Sequence, residues 1–209
     1  MKKKVLFFLS WMASFCVIAQ NKIPIHDPVI IQQDSMFHVF ATGRGITEWT
    51  STDLKNWTKQ KPVFDTLPWA VEAVQGFKNY VWAPDISFYN GQYYLFYSVS
   101  TFGKNTSCIG VATNKTLNVK DSNYNWKDFG KLICSQQGKD NFNAIDPNLV
   151  IDKQGKPWLS FGSFWSGIQL VQLNEDALSV KQPQQLINIA RRDKQINGNT
   201  AVEAPFIYY

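Results

Sequence analysis

The sequence predicts an all-β protein built from radially repeated four-stranded sheets, a β-propeller with about three blades and the start of a fourth. Three observations lead there: a recurring acid-and-proline step, an aromatic-rich strand after most of these steps, and the scarcity of helical periodicity. The step occurs as Asp27-Pro28-Val29, Ala83-Pro84-Asp85, Asp146-Pro147-Asn148 and Glu203-Ala204-Pro205, with its prolines spaced by 56, 63 and 58 residues. Proline at the start of a strand is physically sensible, because it lacks the N–H that the ladder would use.

After each of the first three prolines comes a short apolar strand and then a polar turn: Gln33-Asp34-Ser35, Asn90-Gly91-Gln92, and 152–156. A second strand follows at Phe37-His38-Val39-Phe40, Tyr93-Tyr94-Leu95-Phe96-Tyr97 and Trp158-Leu159-Ser160-Phe161. Third strands are expected over 46–51, 108–112 and 168–173, beyond Gly-containing loops. Fourth strands are expected near Val63-Phe64, Leu132-Ile133-Cys134 and Leu186-Ile187. Four short strands per unit at a period above 40 residues mark a propeller blade. A β-sandwich with coincidental prolines is the competing architecture, and the recurrence of the acids argues against it. Helical spacing is confined to Asp176–Leu178, and the polar stretch from Asn188 to Thr200 reads as a loop rimming a cleft. Propellers close at about four to eight blades, and an open ring would expose strand edges. The sequence is therefore expected to be part of a longer protein.

Composition agrees with an all-β class. Among 209 residues are 15 Phe, 8 Trp and 8 Tyr, more aromatic surface than a core of this size needs, and flat rings also serve wet sugar-binding surfaces. Residues 1–19 read as a signal peptide: Lys2, Lys3 and Lys4, an apolar run from Val5 to Ile18, and a small-residue cleavage pattern at Ala19. The apolar run is shorter than the roughly 20 residues of a membrane span. Cys16 offers a lipoprotein alternative, disfavoured by the bulk of Phe15. The segment holds three lysines and no acids, so its removal lowers the net charge from +5 to +2. No basic cluster for nucleic acid remains beyond Arg191-Arg192. The expected product is a secreted or periplasmic monomer spanning 20–209, with no membrane contact after cleavage. Cys108 and Cys134 are the two cysteines then left, and their pairing is open.

In a propeller the first strand of every blade lines the central channel, so acids at equivalent strand starts point toward one axis. Asp27, Asp146 and Glu203 are thereby expected to meet. Glycoside cleavage needs a proton donor and a second carboxylate that activates water or attacks the sugar. A third acid nearby can keep the donor protonated. The plain alternative is that each Asp caps a turn. Asp85 follows its proline, faces the other side of its strand, and is read as holding a blade turn. His26, beside Asp27, is read as a hydrogen-bond donor to that carboxylate without a chemical role. Trp49, Trp57 and Trp126 are assigned to the core or blade surface. Other chemistries find little support: His26 and His38 are the only histidines, and Gly162-Ser163-Phe164-Trp165-Ser166-Gly167 is not a nucleophile elbow.

The motifs His26-Asp27-Pro28, Trp82-Ala83-Pro84-Asp85, Ser98 to Gly103, Asn143 to Asn148, Ser160 to Gly167 and Val202 to Ile207 resemble glycoside hydrolase family 43, in particular its endo-1,5-α-L-arabinanases. The likeness runs from about His26 to Tyr209. It implies a five-bladed propeller that hydrolyses arabinan with inversion, and a partial glycoside hydrolase domain over 20–209. By motif, Asp27 resembles the general base, Glu203 the general acid, and Asp146 the residue that keeps that acid protonated and orients it. Inversion would separate base and acid by roughly 6.5–9.5 Å. Trp82 and Phe102 are candidates for stacking on sugar rings, and Gly103, Asn143, Ser163 and Trp165 are candidate hydrogen-bonding or wall-forming groups. The chemistry requires no cofactor. The resemblance implies a calcium ion in the channel, with an incomplete ligand set in this chain. Exo-acting arabinofuranosidases or β-xylosidases of the same fold, and a non-catalytic carbohydrate-binding propeller, are the alternative readings.

Overall fold

The computed structural model describes residues 22–192 and 201–208; the expected signal peptide lies outside them. The first sheet contains β1 (Val29–Gln33), β2 (Met36–Ala41), β4 (Thr47–Ser51) and β5 (Thr58–Lys59), in that order and antiparallel throughout. β3 (Gly43–Arg44) leaves it to pair with the start of the second sheet's first strand. The second sheet continues with β6 (Tyr80–Tyr89), β7 (Gln92–Val99), β8 (Ser107–Asn114) and β9 (Lys127–Ser135). The third contains β10 (Asn148–Ile151), β11 (Pro157–Phe161), β12 (Ile168–Gln172) and β13 (Ile187–Ala190). Each sheet is thus a meander of consecutive strands, as the repeat requires, and the class is all-β. Among the described residues no helix is long and apolar enough to cross a membrane.

The aromatic run of β7 follows from its position between two cores. Successive side chains of a strand point to opposite faces. Tyr93, Leu95, Tyr97 and Val99 join the cluster shared with the first sheet, and Tyr94 and Phe96 join the one shared with the third. A strand buried on both faces reads as a continuous apolar run rather than an alternating one. Cys108 and Cys134 stand directly opposite each other across β8 and β9 and form a disulfide, which answers the question the sequence left open.

Local structure departs from expectation in four places. Val63 and Phe64 form no strand; the fourth strand of the first sheet is β5, and Phe64, Leu67, Val74 and Phe77 instead fill the core between the first two sheets. That segment carries a six-residue helix, α1 (Pro68–Ala73), begun by Pro68 at its first turn and too short to show a period. Residues 176–178, expected to be helical, form a turn beside the Leu173–Val180 bridge. Pro84 lies inside β6 at a bulge between Trp82 and Asp85 rather than at a strand start, the other place where a sheet tolerates proline. Of the stretch expected to be a loop, Asn188–Ala190 belongs to β13, and 193–200 lies outside the described residues.

Neighbouring sheets are joined at their first strands by a repeated bond. The residue after the proline in one sheet accepts the backbone N–H two positions after the proline in the next. Leu149 N–H donates to Asp85 Oδ2 at 2.9 Å, and Ile207 N–H donates to Asn148 Oδ1 at 2.9 Å. Asp85 also accepts from Asn148 Nδ2 at 3.3 Å. It is therefore structural, as expected, but it joins two sheets instead of holding a turn. Burial pushes its carboxyl up to about 6 against the opposing effect of these bonds. Asp85→Ala would leave the buried Leu149 N–H unpaired, and a loss of roughly 1–3 kcal/mol is expected in urea denaturation. Asp85→Asn, which keeps an acceptor, should lose markedly less.

Candidate active site

The three acids chosen from the sequence line one cleft of about 950 Å3, together with Trp82, Phe102, Gly103, Asn143, Ser163 and Trp165. Beneath it a second cavity, of about 530 Å3, runs along the first strands of all three sheets and the 204–207 segment. Asp27, Asp146 and Ala204 border both spaces, so the two aspartates stand between cleft and channel, while Glu203 lines the cleft alone.

Backbone conformation sets their aim. The residue before the proline is left-handed in every repeat: Asp27 (φ 48°), Ala83 (φ 39°), Asp146 (φ 57°) and Ala204 (φ 53°). Asp27 and Asp146 are therefore equivalent. Glu203 is not in the same register, contrary to expectation; it aligns with His26, Trp82 and Ile145, one residue earlier. The extra methylene of Glu extends its carboxylate toward the same cleft from the preceding position.

Each acid has its own partners. Asp27 Oδ2 accepts from Thr42 Oγ1 at 2.6 Å and lies 2.7 Å from His26 Nδ1, which gives His26 the donor role expected of it. Thr42 accepts in turn from Ala83 N–H at 2.8 Å, so its single proton is directed to Asp27. Asp146 donates its N–H to Ser98 Oγ at 2.9 Å, and its Oδ2 accepts from Ala204 N–H at 3.2 Å. Burial pushes the Asp146 carboxyl up to about 7, with the charges of Glu203 and Asp27 adding to the rise and the Ala204 bond opposing it. Ser163 Oγ donates to Glu203 Oε2 at 2.9 Å. The hydroxyl expected to face sugar is thus occupied in holding a carboxylate.

The walls are largely apolar. Phe102 is 95% exposed on the loop after β7, and Trp82 is half-buried. The side-chain oxygens of Asn143 and Thr101 are buried at the cleft with no hydrogen-bond partner among the described residues, leaving acceptors for a ligand's hydroxyl groups. Sequence reasoning missed Thr42, Tyr80 and Phe164, which also line the cleft. Thr42 had a signal: Phe40-Ala41-Thr42, Phe96-Tyr97-Ser98 and Phe161-Gly162-Ser163 repeat a Phe-x-Ser/Thr pattern at the end of each second strand. Tyr80 lies two residues from Trp82 on the same face of β6, with buried Val81 facing the other way. Of the tryptophans assigned elsewhere, Trp126 packs edge-on to Phe40 against the core, and Trp49 carries Lys59 over its ring.

The residues described hold no complete ligand set for the implied calcium ion. Both Asp85 oxygens are engaged across the sheet junction. Among the described residues no three His, Cys, Asp or Glu side chains are grouped to hold a cation.

Known proteins resemble this chain over most of its length. The profile of glycosyl hydrolases family 43 matches residues 19–209. The chain is 40% identical to the extracellular exo-α-(1→5)-L-arabinofuranosidase of Cellvibrio japonicus, over 95% of this chain and 61% of that protein. It is 44% identical to the extracellular endo-α-(1→5)-L-arabinanase 1 of Bacillus subtilis, over 91% of this chain and 57% of that protein. The Cellvibrio cellulosa α-L-arabinanase solved with arabinohexaose superposes with a TM-score of 0.83 at 42% identity, over 90% of this chain and 62% of that one. The chain thus spans about three-fifths of the length of these relatives.

The raised Asp146 carboxyl links stability to pH. The folded state holds this proton more tightly than the unfolded chain does, so stability falls as pH rises from about 4 through about 7. Asp146→Asn removes the penalty while its amide oxygen can still accept from Ala204. The variant should be more stable than the parent by roughly 4 kcal/mol at pH 8, with the gain vanishing below pH 4. Thermal melts across that range measure it.

Proposed function

Because the chain belongs to glycoside hydrolase family 43, we propose that it hydrolyses internal α-1,5-L-arabinofuranosidic bonds of arabinan with inversion, outside the cytoplasm. The three sheets then serve as blades of a five-bladed propeller. The observation that carries the reading is the meeting of Asp27, Asp146 and Glu203 in one aromatic-walled cleft. Relatives named as an extracellular α-(1→5)-L-arabinofuranosidase and an extracellular α-(1→5)-L-arabinanase support the substrate and the location.

Asp27 is the general base. Its Oδ2 is taken by Thr42 and His26, which leaves Oδ1 to draw the proton from a water at the anomeric carbon. Glu203, held through Oε2 by Ser163, gives its proton to the departing arabinose oxygen. Asp146, whose carboxyl is pushed up to about 7 by burial and by the charges of Glu203 and Asp27, acts as the positioning residue of the trio. Its bond to Ala204 fixes the segment that carries Glu203. Trp82 and Phe102 stack on sugar rings, and Asn143 binds a sugar hydroxyl. Ring faces on several walls suit a chain passing through more than a single terminal sugar.

Asp27→Asn and Glu203→Gln should each lower kcat on linear debranched arabinan by at least about a hundredfold, the usual range for loss of general acid–base catalysis. Unchanged rates would remove the assignment. Relatives of both modes of action exist, so product chromatography decides the mode. Early oligosaccharides support internal cleavage, and release of arabinose alone from the first time point overturns it.

A further inference from the structure

The turn between β11 and β12 reverses the usual placement of glycine. Hairpin positions with positive φ favour Gly, Asn and Asp, because a larger side chain crowds its own backbone there. Here Phe164 (φ 56°) and Trp165 (φ 38°) occupy that region in succession. Glycine stands at the two ends, where nothing larger fits. A Cβ on Gly162 would lie 2.4 Å from the Gly167 carbonyl oxygen, and one on Gly167 would lie 2.2 Å from that of Ala190. Left-handed backbone at bulky residues is strained, and such strain gathers at ligand sites and persists only where the surroundings impose it.

The surroundings do impose it. Phe164 N–H donates to Val202 O at 2.9 Å, Ser166 N–H donates to Asn141 O at 2.9 Å, and Ser163 Oγ holds Glu203. The turn is therefore fastened on one side to the segment that carries Glu203 and on the other to the loop that leads to Asp146. Core packing does not explain the two rings: Phe164 is 40% and Trp165 39% exposed, and both line the cleft. Their unsatisfied apolar faces point to a ligand with a matching apolar face.

We propose that the Phe164–Trp165 turn is the sugar platform for the leaving-group side of the cleft, with Phe164 as a residue that sets which stretch of the α-1,5-linked furanose chain is gripped. The assignment of side rests on Glu203 being the proton donor. That residue protonates the departing sugar's oxygen, and the turn is tethered to its segment. Holding the rings in a strained turn keeps them exposed and pre-aimed before a sugar covers them.

Arabinohexaose labelled at its reducing end tests this, because the leaving portion of the chain is the reducing-end portion. Phe164→Asn keeps the left-handed turn without the ring. It should melt at or above the parent's temperature, raise KM about tenfold, and shift cleavage toward the reducing end, giving shorter labelled products. Phe164→Tyr, which retains the ring, should keep the parent's pattern. A Phe164→Asn variant with the parent's KM and product pattern overturns the platform. If the parent itself leaves arabinohexaose uncut, the hydrolase reading is what fails. Calorimetric binding of the uncut hexaose then decides the platform: affinity about tenfold weaker in Phe164→Asn supports it, and equal affinity overturns it.

Discussion

The seam between neighbouring sheets governs everything else in the molecule. Two tiers of hydrogen bonds run along it. In one, Asp85 and Asn148 accept from the first strand of the following sheet or segment. In the other, Thr42, Ser98 and Asp146 accept the N–H groups of Ala83, Asp146 and Ala204. A buried backbone N–H without a partner costs about as much as a lost hydrogen bond, so each acceptor fixes how closely and at what angle the next first strand approaches. The cleft is the space those angles leave.

The same seam ties chemistry to stability. Asp146 is a clasp through its backbone and through its carboxylate, and that carboxylate is also held near neutrality by burial and by two like charges. Thr42 joins the first sheet to the second with one lone pair and orients Asp27 with its proton. Side chains that assemble the sheets are thus the ones that aim the acids. A substitution there alters both properties, whereas Phe102, almost fully exposed on its loop, is free of structural duty.

Much of this was legible in the sequence because the period of the prolines and the alternation of apolar residues are direct images of strand spacing and pleat. The acids and the aromatic second strands followed from them, and the cleft candidates from the family resemblance of their motifs. What stayed hidden depended on geometry that composition does not encode. Val63 and Phe64 look like strand residues, yet the gap between two sheets takes them as core filler. Glu203 looked equivalent to Asp27 although it stands two residues before its proline where Asp27 stands one, and the left-handed Ala204 beside it gives that offset its structural meaning. Ser163 looked like a free hydroxyl until the approach of the 202–203 segment gave it a carboxylate to hold. The Phe-x-Ser/Thr repeat was visible but lacked meaning without the seam.

The two tiers share a direction. In all five bonds the acceptor side chain belongs to the earlier segment and the backbone donor to the later one. A chain emerging from its N-terminus therefore lays down a waiting acceptor before the N–H that will need it. An acceptor can wait in water at little cost, since solvent serves it until the partner arrives. Each N–H of the later strand thus has its acceptor on a segment synthesised before it. The seam is, in that sense, polar along the chain: acceptors first, donors after.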